Sequence, residues 1–165
     1  MIAIDPSLRS TGYAILEKNG SQTRALDYGT IKNPARVLAS GCLVAIHDVV
    51  KKLVAQHQPD CAAIEGVIYV QSFRTAITLG AARGAAILAL SEAGLSIYEY
   101  APRRVKQATV GRGAAAKSQV GFMIRSILQL RENPPEDAAD AMAIGLTHIQ
   151  TAESAARGAL KIQQI

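Results

Sequence analysis

Four acidic residues are spaced so that they could bind a cation together. Asp5 and Glu65 each end a short apolar run of the kind that forms a buried strand. Asp137 and Asp140 are three positions apart, which on a helix places both carboxylates on one face. Oxygen ligands select Mg²⁺ or Mn²⁺, whereas thiols and imidazoles would select zinc. If the four acids converge, they could hold two such ions and hydrolyse a phosphodiester.

Two of the acids also have an ordinary structural interpretation. Asp5 precedes Pro6, a pair that often opens a turn. Asp137, with Glu136 before it, would lie at a helix N-terminus, where negative charge is favoured. Taken one at a time, these interpretations account for Asp5 and Asp137. Asp140 is harder to explain in this way, because it lies deeper in an alanine-rich helix.

The elements that must position these acids follow from the pattern of apolar and turn residues. The predicted strands are Ile2–Asp5, Tyr13–Leu16, Thr23–Ile31, Cys61–Glu65 and Leu95–Tyr100. The first predicted helix begins near Pro34. The others span Ser72–Ala93, Pro102–Val110, Lys117–Leu130 and Glu136–Gln150 or beyond. The first three strands should form an antiparallel meander, and the later ones, reached by crossovers, should be parallel. Acids that end parallel neighbours would then face one crevice.

Composition limits the class of protein. At 165 residues the chain is expected to be a single α/β domain over residues 1–165, and its net charge of +5 favours a polyanionic partner. The apolar stretch Ala76–Ala93 contains Arg83 and Glu92, so we expect no membrane span. Two cysteines without metal-ligand spacing are expected to be reduced, which indicates a cytoplasmic protein.

A basic segment follows the fifth predicted strand. It contains Arg103, Arg104, Lys106, Arg112 and Lys117. Its Gly111–Ser118 stretch is not a Walker A loop, because alanine occupies the position of the second glycine, and no strand precedes it as a dinucleotide fingerprint would require. The segment is either a solvated surface or a phosphate-binding one. Lys117 favours the second interpretation, since it opens a helix where a cation is disfavoured.

Several short motifs follow one another in an order that covers nearly the whole chain. They are Ile4-Asp5-Pro6, Thr11-Gly12-Tyr13, Ala63-Ile64-Glu65, Leu79–Gly84, Tyr98–Gln107, Lys117–Val120 and Asp137–Ala141. In these motifs the chain resembles the RuvC family of bacterial Holliday junction resolvases. The resemblance implies a ribonuclease-H-like fold, with a five-stranded mixed sheet flanked by helices. It also implies a Mg²⁺-dependent endonuclease that resolves four-way DNA junctions by paired symmetric nicks, in homologous recombination and DNA repair.

The resemblance assigns roles to particular residues. Asp5, Glu65, Asp137 and Asp140 would be the catalytic, metal-binding acids, holding two Mg²⁺ ions or Mn²⁺ in their place. Lys106 and Lys117 would serve cleavage or hold the scissile phosphate. The expected DNA-binding residues are Ile68, Tyr69, Arg74, Arg103, Arg104 and Arg112.

Two departures from the family pattern affect these assignments. Ser7 stands where the family usually has glycine, and Ile68 stands where it usually has a phenylalanine at the junction centre. Tyr69 could stack on a base, whereas Ile68 could only wedge between bases. The expected partners are a second copy of the chain, packed through the Ser72–Ala93 helix, and, by resemblance, a branch-migration helicase complex.

The sequence argues against two other classes of function. A junction-binding protein that has lost cleavage would lack one of the acids, and all four are present. An ATPase of the actin-like branch of this fold would need a second repeat of the domain and glycine-rich nucleotide loops.

Overall fold

A five-stranded mixed sheet forms the centre of the molecule. The computed structural model describes residues 1–67, 72–111, 117–156 and 164–165, with the backbone alone at residues 117 and 118. The strands are β1 (Ile2–Asp5), β2 (Ser10–Asn19), β3 (Gln22–Lys32), β4 (Cys61–Glu65) and β5 (Ser96–Tyr100). Their order in the sheet is β3-β2-β1-β4-β5. The first three are antiparallel, and β4 and β5 run parallel to β1, as the sequence predicted.

Helices cover both faces of the sheet. They are α1 (Ala39–His57), α2 (Phe73–Glu92), α3 (Pro102–Val110), α4 (Lys117–Ile127) and α5 (Glu136–Ala156). The first two pack against one face, where Ile2, Ile4 and Ile64 lie in one core. The other three cover the opposite face, where Ala3 and Ala63 lie in a second core. Since strand side chains alternate between faces, Ala3 and Ala63 face the second layer, whereas Ile2, Ile4 and Ile64 face the first.

Small residues are needed on that face because α5 lies very close to the sheet. A Cβ atom at Gly145 of α5 would lie 2.6 Å from Cδ1 of Leu16 and 3.1 Å from Cβ of Ala3. Such an approach leaves no room for larger side chains. The position of α5 is thereby fixed against β1 and β2, and the two acids that it carries are fixed with it.

The start of α1 differs from the prediction. Pro34 was expected at the first turn of the helix, but α1 begins at Ala39. The guanidinium of Arg9 donates hydrogen bonds to the carbonyl oxygens of Pro34 and Val37, at 2.8 Å each. These contacts hold residues 34–37 as a loop, and a sequence pattern does not reveal an interaction between positions so far apart.

α2 buries one side and exposes the other. Ser72 caps its N-terminus by accepting a hydrogen bond from the amide of Thr75 at 3.1 Å. Its buried residues are Ala82, Ala86, Ala89 and Leu90, whereas Phe73, Ile77 and Leu88 are exposed. By length and composition alone, α2 could cross a membrane. One such helix is weak evidence of a membrane span, because core helices of soluble proteins pass the same test. Within the described residues of this one chain, α2 therefore buries one side, and its exposed side is the one expected to pack against a second copy.

Candidate active site

Asp5 and Glu65 lie side by side where β1 and β4 end, at the edge of the sheet that the carboxyl ends of its parallel strands form. Strands β1 and β4 are parallel neighbours in which Ile4 pairs with Ile64, so that the next residue of each strand is an acid. Both side chains are half-buried. The crevice beyond the carboxyl ends of parallel strands is the usual ligand site of such sheets.

α5 brings two further acids to this edge from the second helical layer. Its first turn passes β2 at Gly12, where a Cβ atom would lie 1.9 Å from the carbonyl oxygen of Asp137. Two residues earlier on the same strand, the hydroxyl of Ser10 donates a hydrogen bond to Oδ2 of Asp137 at 2.5 Å. Asp140 follows about one helical turn later and is half-buried.

The pKa of Asp5 shows that the four carboxyl groups share one electrostatic neighbourhood. Burial raises this pKa most, and the charges of Glu65, Asp140 and Asp137 with a hydrogen bond to Glu65 raise it further, to about 8. Two unit charges 4 Å apart repel by about 4 kcal/mol at an effective dielectric constant of about 20. Near neutral pH, Asp5 therefore keeps its proton unless a cation offsets the charge of its neighbours.

The donor set fits a hard divalent cation that retains part of its water shell. The acids supply oxygen atoms alone, which favours Mg²⁺ or Mn²⁺ over zinc. Within the described residues, no group of three or more His, Cys, Asp or Glu side chains is placed to hold a metal ion by itself. Mg²⁺ is usually bound by one or two carboxylates, while waters and substrate phosphates complete its octahedron. An open arrangement of repelling carboxylates therefore suits this ion better than a closed cage would.

The end of β4 is held by residues that the sequence did not mark as part of the site. Arg83 of α2 donates from Nε to the carbonyl oxygen of Glu65 at 3.3 Å, and its guanidinium forms an ion pair with Glu99 of β5. A Cβ atom at Gly66 would lie 2.7 Å from Oε1 of Glu99. The one available signal was the place of Arg83 within the family-like motif Leu79–Gly84.

The turn after Asp5 accepts serine where the family usually has glycine. In the described chain, the non-glycine residues with positive φ are Gln58 and Gln129, so Ser7 does not need glycine's conformational freedom. The amide of Ser7 donates to Oγ1 of Thr11 at 3.1 Å, and that hydroxyl donates to the carbonyl oxygen of Ser7 at 2.5 Å. This departure from the family pattern carries no backbone strain.

The predicted basic residues that the structure describes lie on α2 and α3. Arg103 and Arg104 are exposed at the start of α3, and Lys106 is half-buried in the next turn. α3 follows β5, whose last residue pairs with Glu65, so this basic helix begins at the edge that carries the acids. Arg74 is exposed in the first turn of α2.

The side chains of four predicted residues are not described. Ile68, Tyr69 and Arg112 lie outside the described residues, and Lys117 is described by its backbone alone, as the first residue of α4.

A cavity of about 500 Å³ lies at the opposite edge of the sheet, and none of the predicted site residues lines it. In its wall, Sγ of Cys61 is 3.4 Å from Nε2 of His148, whose Nδ1 is 2.9 Å from the hydroxyl of Tyr100. Burial raises the pKa of the Cys61 thiol and lowers the pKa of His148. Both shifts favour the neutral form of the group.

Comparisons with known proteins agree on one family. A family model, "Crossover junction endodeoxyribonuclease RuvC", matches residues 1–148. The RuvC of Akkermansia muciniphila is 54% identical over 153 residues, which are 93% of this chain and 92% of that protein. The RuvC of Halorhodospira halophila is 45% identical over 148 residues, or 90% and 88% of the two chains.

Solved structures extend this similarity to the fold. The RuvC of T. thermophilus, solved in complex with a Holliday junction substrate, has a TM-score of 0.89 at 33% identity, and the match covers 100% of this chain and 99% of that one. The yeast mitochondrial Holliday junction resolvase Ydc2 has a TM-score of 0.67 at 10% identity, covering 96% and 82% of the two chains. At that identity the likeness concerns the fold alone.

The mixed sheet and its carboxylate-bearing edge define a nuclease of the ribonuclease-H-like class. Within that class, the chain belongs to the crossover junction endodeoxyribonuclease RuvC family, whose members are metal-dependent nucleases. The predicted family, fold and endonuclease activity are thereby confirmed.

Proposed function

We propose that this chain is a Mg²⁺-dependent endonuclease that cuts four-way DNA junctions as a homodimer. The observation that carries the proposal is the grouping of Asp5 with the acids of β4 and α5: burial first, and then the charges of these neighbours, raise the pKa of Asp5 to about 8. The T. thermophilus relative in complex with a Holliday junction substrate supports the choice of DNA. The chain would act as one domain over residues 1–165, in the cytoplasm, within homologous recombination and DNA repair.

The four acids are the proposed metal ligands. Asp5, Glu65, Asp137 and Asp140 would hold two Mg²⁺ ions, with Mn²⁺ as a substitute. The two bound ions would stabilise the charge on the attacking and leaving oxygens of a phosphodiester. For its part, the chain holds these carboxylates in fixed places, through the register of β1 with β4 and the close approach of α5 to β2.

The basic residues are the proposed phosphate contacts. Lys106 and Lys117 would hold the scissile phosphate beside the acids. Arg74, Arg103, Arg104 and Arg112 would bind phosphates of the junction arms, which makes binding strongly salt-dependent. In the loop after Glu65, Tyr69 would stack on a base at the junction centre or Ile68 would wedge there.

The exposed face of α2 supports the dimer. Leu88 is 55% exposed and lines a groove with Val44 of α1, which is 60% exposed. An exposed apolar patch of this kind marks an interaction surface, and a second copy of the chain is the commonest partner. A two-fold dimer would present two acid clusters to a junction with the same symmetry, producing paired nicks. A branch-migration helicase complex is the further partner that we propose from the family resemblance.

Amide replacements of the acids test the proposal. Asp5→Asn, Glu65→Gln, Asp137→Asn and Asp140→Asn should each abolish nicking of a labelled four-way junction. Binding of the junction should change by less than about threefold, because these residues hold metal and do not contact the DNA backbone. Cleavage and mobility-shift assays on the same samples measure both effects.

A matched control is Asp60→Asn, which alters an exposed acid at the opposite edge of the sheet. It should cut at the wild-type rate. Retained nicking by Asp5→Asn at ordinary Mg²⁺ concentration would contradict the assignment.

A further inference from the structure

The side chain of Asp137 has a partner outside the acidic cluster. The hydroxyl of Ser10 donates to its Oδ2 at 2.5 Å, across 127 positions of the sequence. Both residues are half-buried, and hydrogen bonds to a charged acceptor are the stronger ones. The contact therefore joins the first residue of β2 to the first turn of α5.

The backbone around this contact is arranged to bring the two residues together. Ser10, Gly12, Ala14 and Leu16 are alternate residues of β2, so they face the same side of the sheet. Along this row, Gly12 admits the backbone of Asp137 and Leu16 lies against Gly145 of α5. β2 and α5 therefore run side by side in a fixed register, which places Ser10 opposite the first turn of the helix.

The contact constrains what Asp137 can do. A carboxylate that is free to turn about its side-chain bonds presents its oxygens in many directions. With Oδ2 held by Ser10, rotation of the group is restricted, and the direction of its other oxygen is restricted with it. Outer residues that orient a metal ligand in this way typically change metal affinity or activity by 10–100-fold when they are removed.

We infer that Ser10 is a positioning residue, whose hydroxyl orients the Asp137 carboxylate toward a divalent cation at the acidic cluster. The inference rests on the proposed function, since it requires a cation to bind there. Ser10 itself touches neither cation nor substrate. Its loss should therefore weaken cation binding and slow turnover, while leaving the affinity for junction DNA unchanged.

The test compares Ser10→Ala, which removes the hydroxyl, with Ser10→Thr, which keeps it. Mn²⁺ and Ca²⁺ are titrated into metal-free protein, and binding is followed by calorimetry and by the rise in melting temperature. Ser10→Ala should raise the Mn²⁺ concentration at half-saturation by about tenfold or more. Ser10→Thr should stay close to wild type. In cleavage assays, Ser10→Ala should lower kcat at limiting Mg²⁺ and leave KM for the junction within about twofold.

The control is Ser154→Ala, which removes a hydroxyl bonded to the carbonyl oxygen of Gln150 at the far end of α5. It should bind Mn²⁺ like wild type. If Ser10→Ala fails to fold, Ser10→Cys replaces it under the same criteria, because a thiol is a weak donor of similar size.

If the Mn²⁺ concentration at half-saturation is unchanged in Ser10→Ala, the inference is overturned. A lower melting temperature in EDTA would not rescue it, because the hydrogen bond would then serve only to join β2 to α5. Failure of wild-type protein to bind any of these cations would overturn the proposed function itself. The two failures are therefore distinguishable.

Discussion

At the scale of single residues, Asp5 connects the chemistry of the site with the stability of the fold. Its pKa rises from an ordinary value of 3.8 to about 8 because it is buried beside three other acids. Between these two values the folded chain holds a proton that the unfolded chain has released. The stabilisation that protonation supplies is complete below pH 3.8 and is lost as the pH rises through 8.

Asp5→Asn should therefore stabilise the metal-free protein in a pH-dependent way. An amide has the shape of the acid and carries no charge at any pH. In EDTA, the melting temperature of the variant should exceed that of wild type by a margin that grows from about pH 5 to about pH 8. Thermal melts across this range measure it. A margin that is constant with pH would show that Asp5 is ionised without cost in the folded chain.

At the scale of elements, the packing of α5 against β2 determines where Asp137 and Asp140 lie. The two elements approach closely at Gly12 and at Gly145, where an added Cβ atom would lie 1.9 Å and 2.6 Å from the nearest atom of the other element. At Gly12 the obstacle is the backbone of Asp137, which cannot turn aside as a flexible side chain could.

Gly12→Ala should push the first turn of α5 away from the sheet. We expect a loss of about 1–3 kcal/mol in the free energy of unfolding, the usual cost of overpacking, together with a severe loss of cleavage. Urea denaturation and a junction-cleavage assay measure the two effects.

Gly121→Ala in α4 is the matched control, because nothing lies within 4 Å of its Cβ position. In a helix this change should raise stability by about 0.5–1 kcal/mol. Wild-type stability and cleavage in Gly12→Ala would contradict the close packing that we describe.

The elements also show what could and could not be predicted from the sequence. Apolar runs that end in acids predicted β1 and β4, and parallel pairing predicted that Asp5 and Glu65 would meet. The contacts that hold the acids could not be predicted in this way. Ser10 and Arg83 act on residues of other elements, and no periodicity within one element reports such a partner. The late start of α1 has the same cause, since Arg9 binds the carbonyl oxygens of the preceding loop.

At the scale of the whole molecule, the exposed face of α2 is the proposed interface of the dimer. Leu88→Glu should place a charge in the groove beside α1 and dissociate the dimer, because a buried unpaired charge is costly. Sedimentation at micromolar concentration should give wild type a mass near twice 17.4 kDa and the variant a mass near 17.4 kDa.

Leu26→Glu provides the control, since Leu26 is 53% exposed on β3, much as Leu88 is on α2. It should sediment with wild type. A wild-type monomer at this concentration would remove the basis for paired cleavage.

The central claim is that two acid clusters in one dimer cut a four-way DNA junction symmetrically. Mapping of nicks on a synthetic junction, labelled in turn on each of its four strands, tests this most directly, with a linear duplex of the same sequence beside it. With Mg²⁺, the account predicts nicks at equivalent positions on two opposing strands, little cleavage of the duplex and no cleavage in EDTA. Equal cleavage of junction and duplex, or a single unpaired nick as the final product, would contradict it.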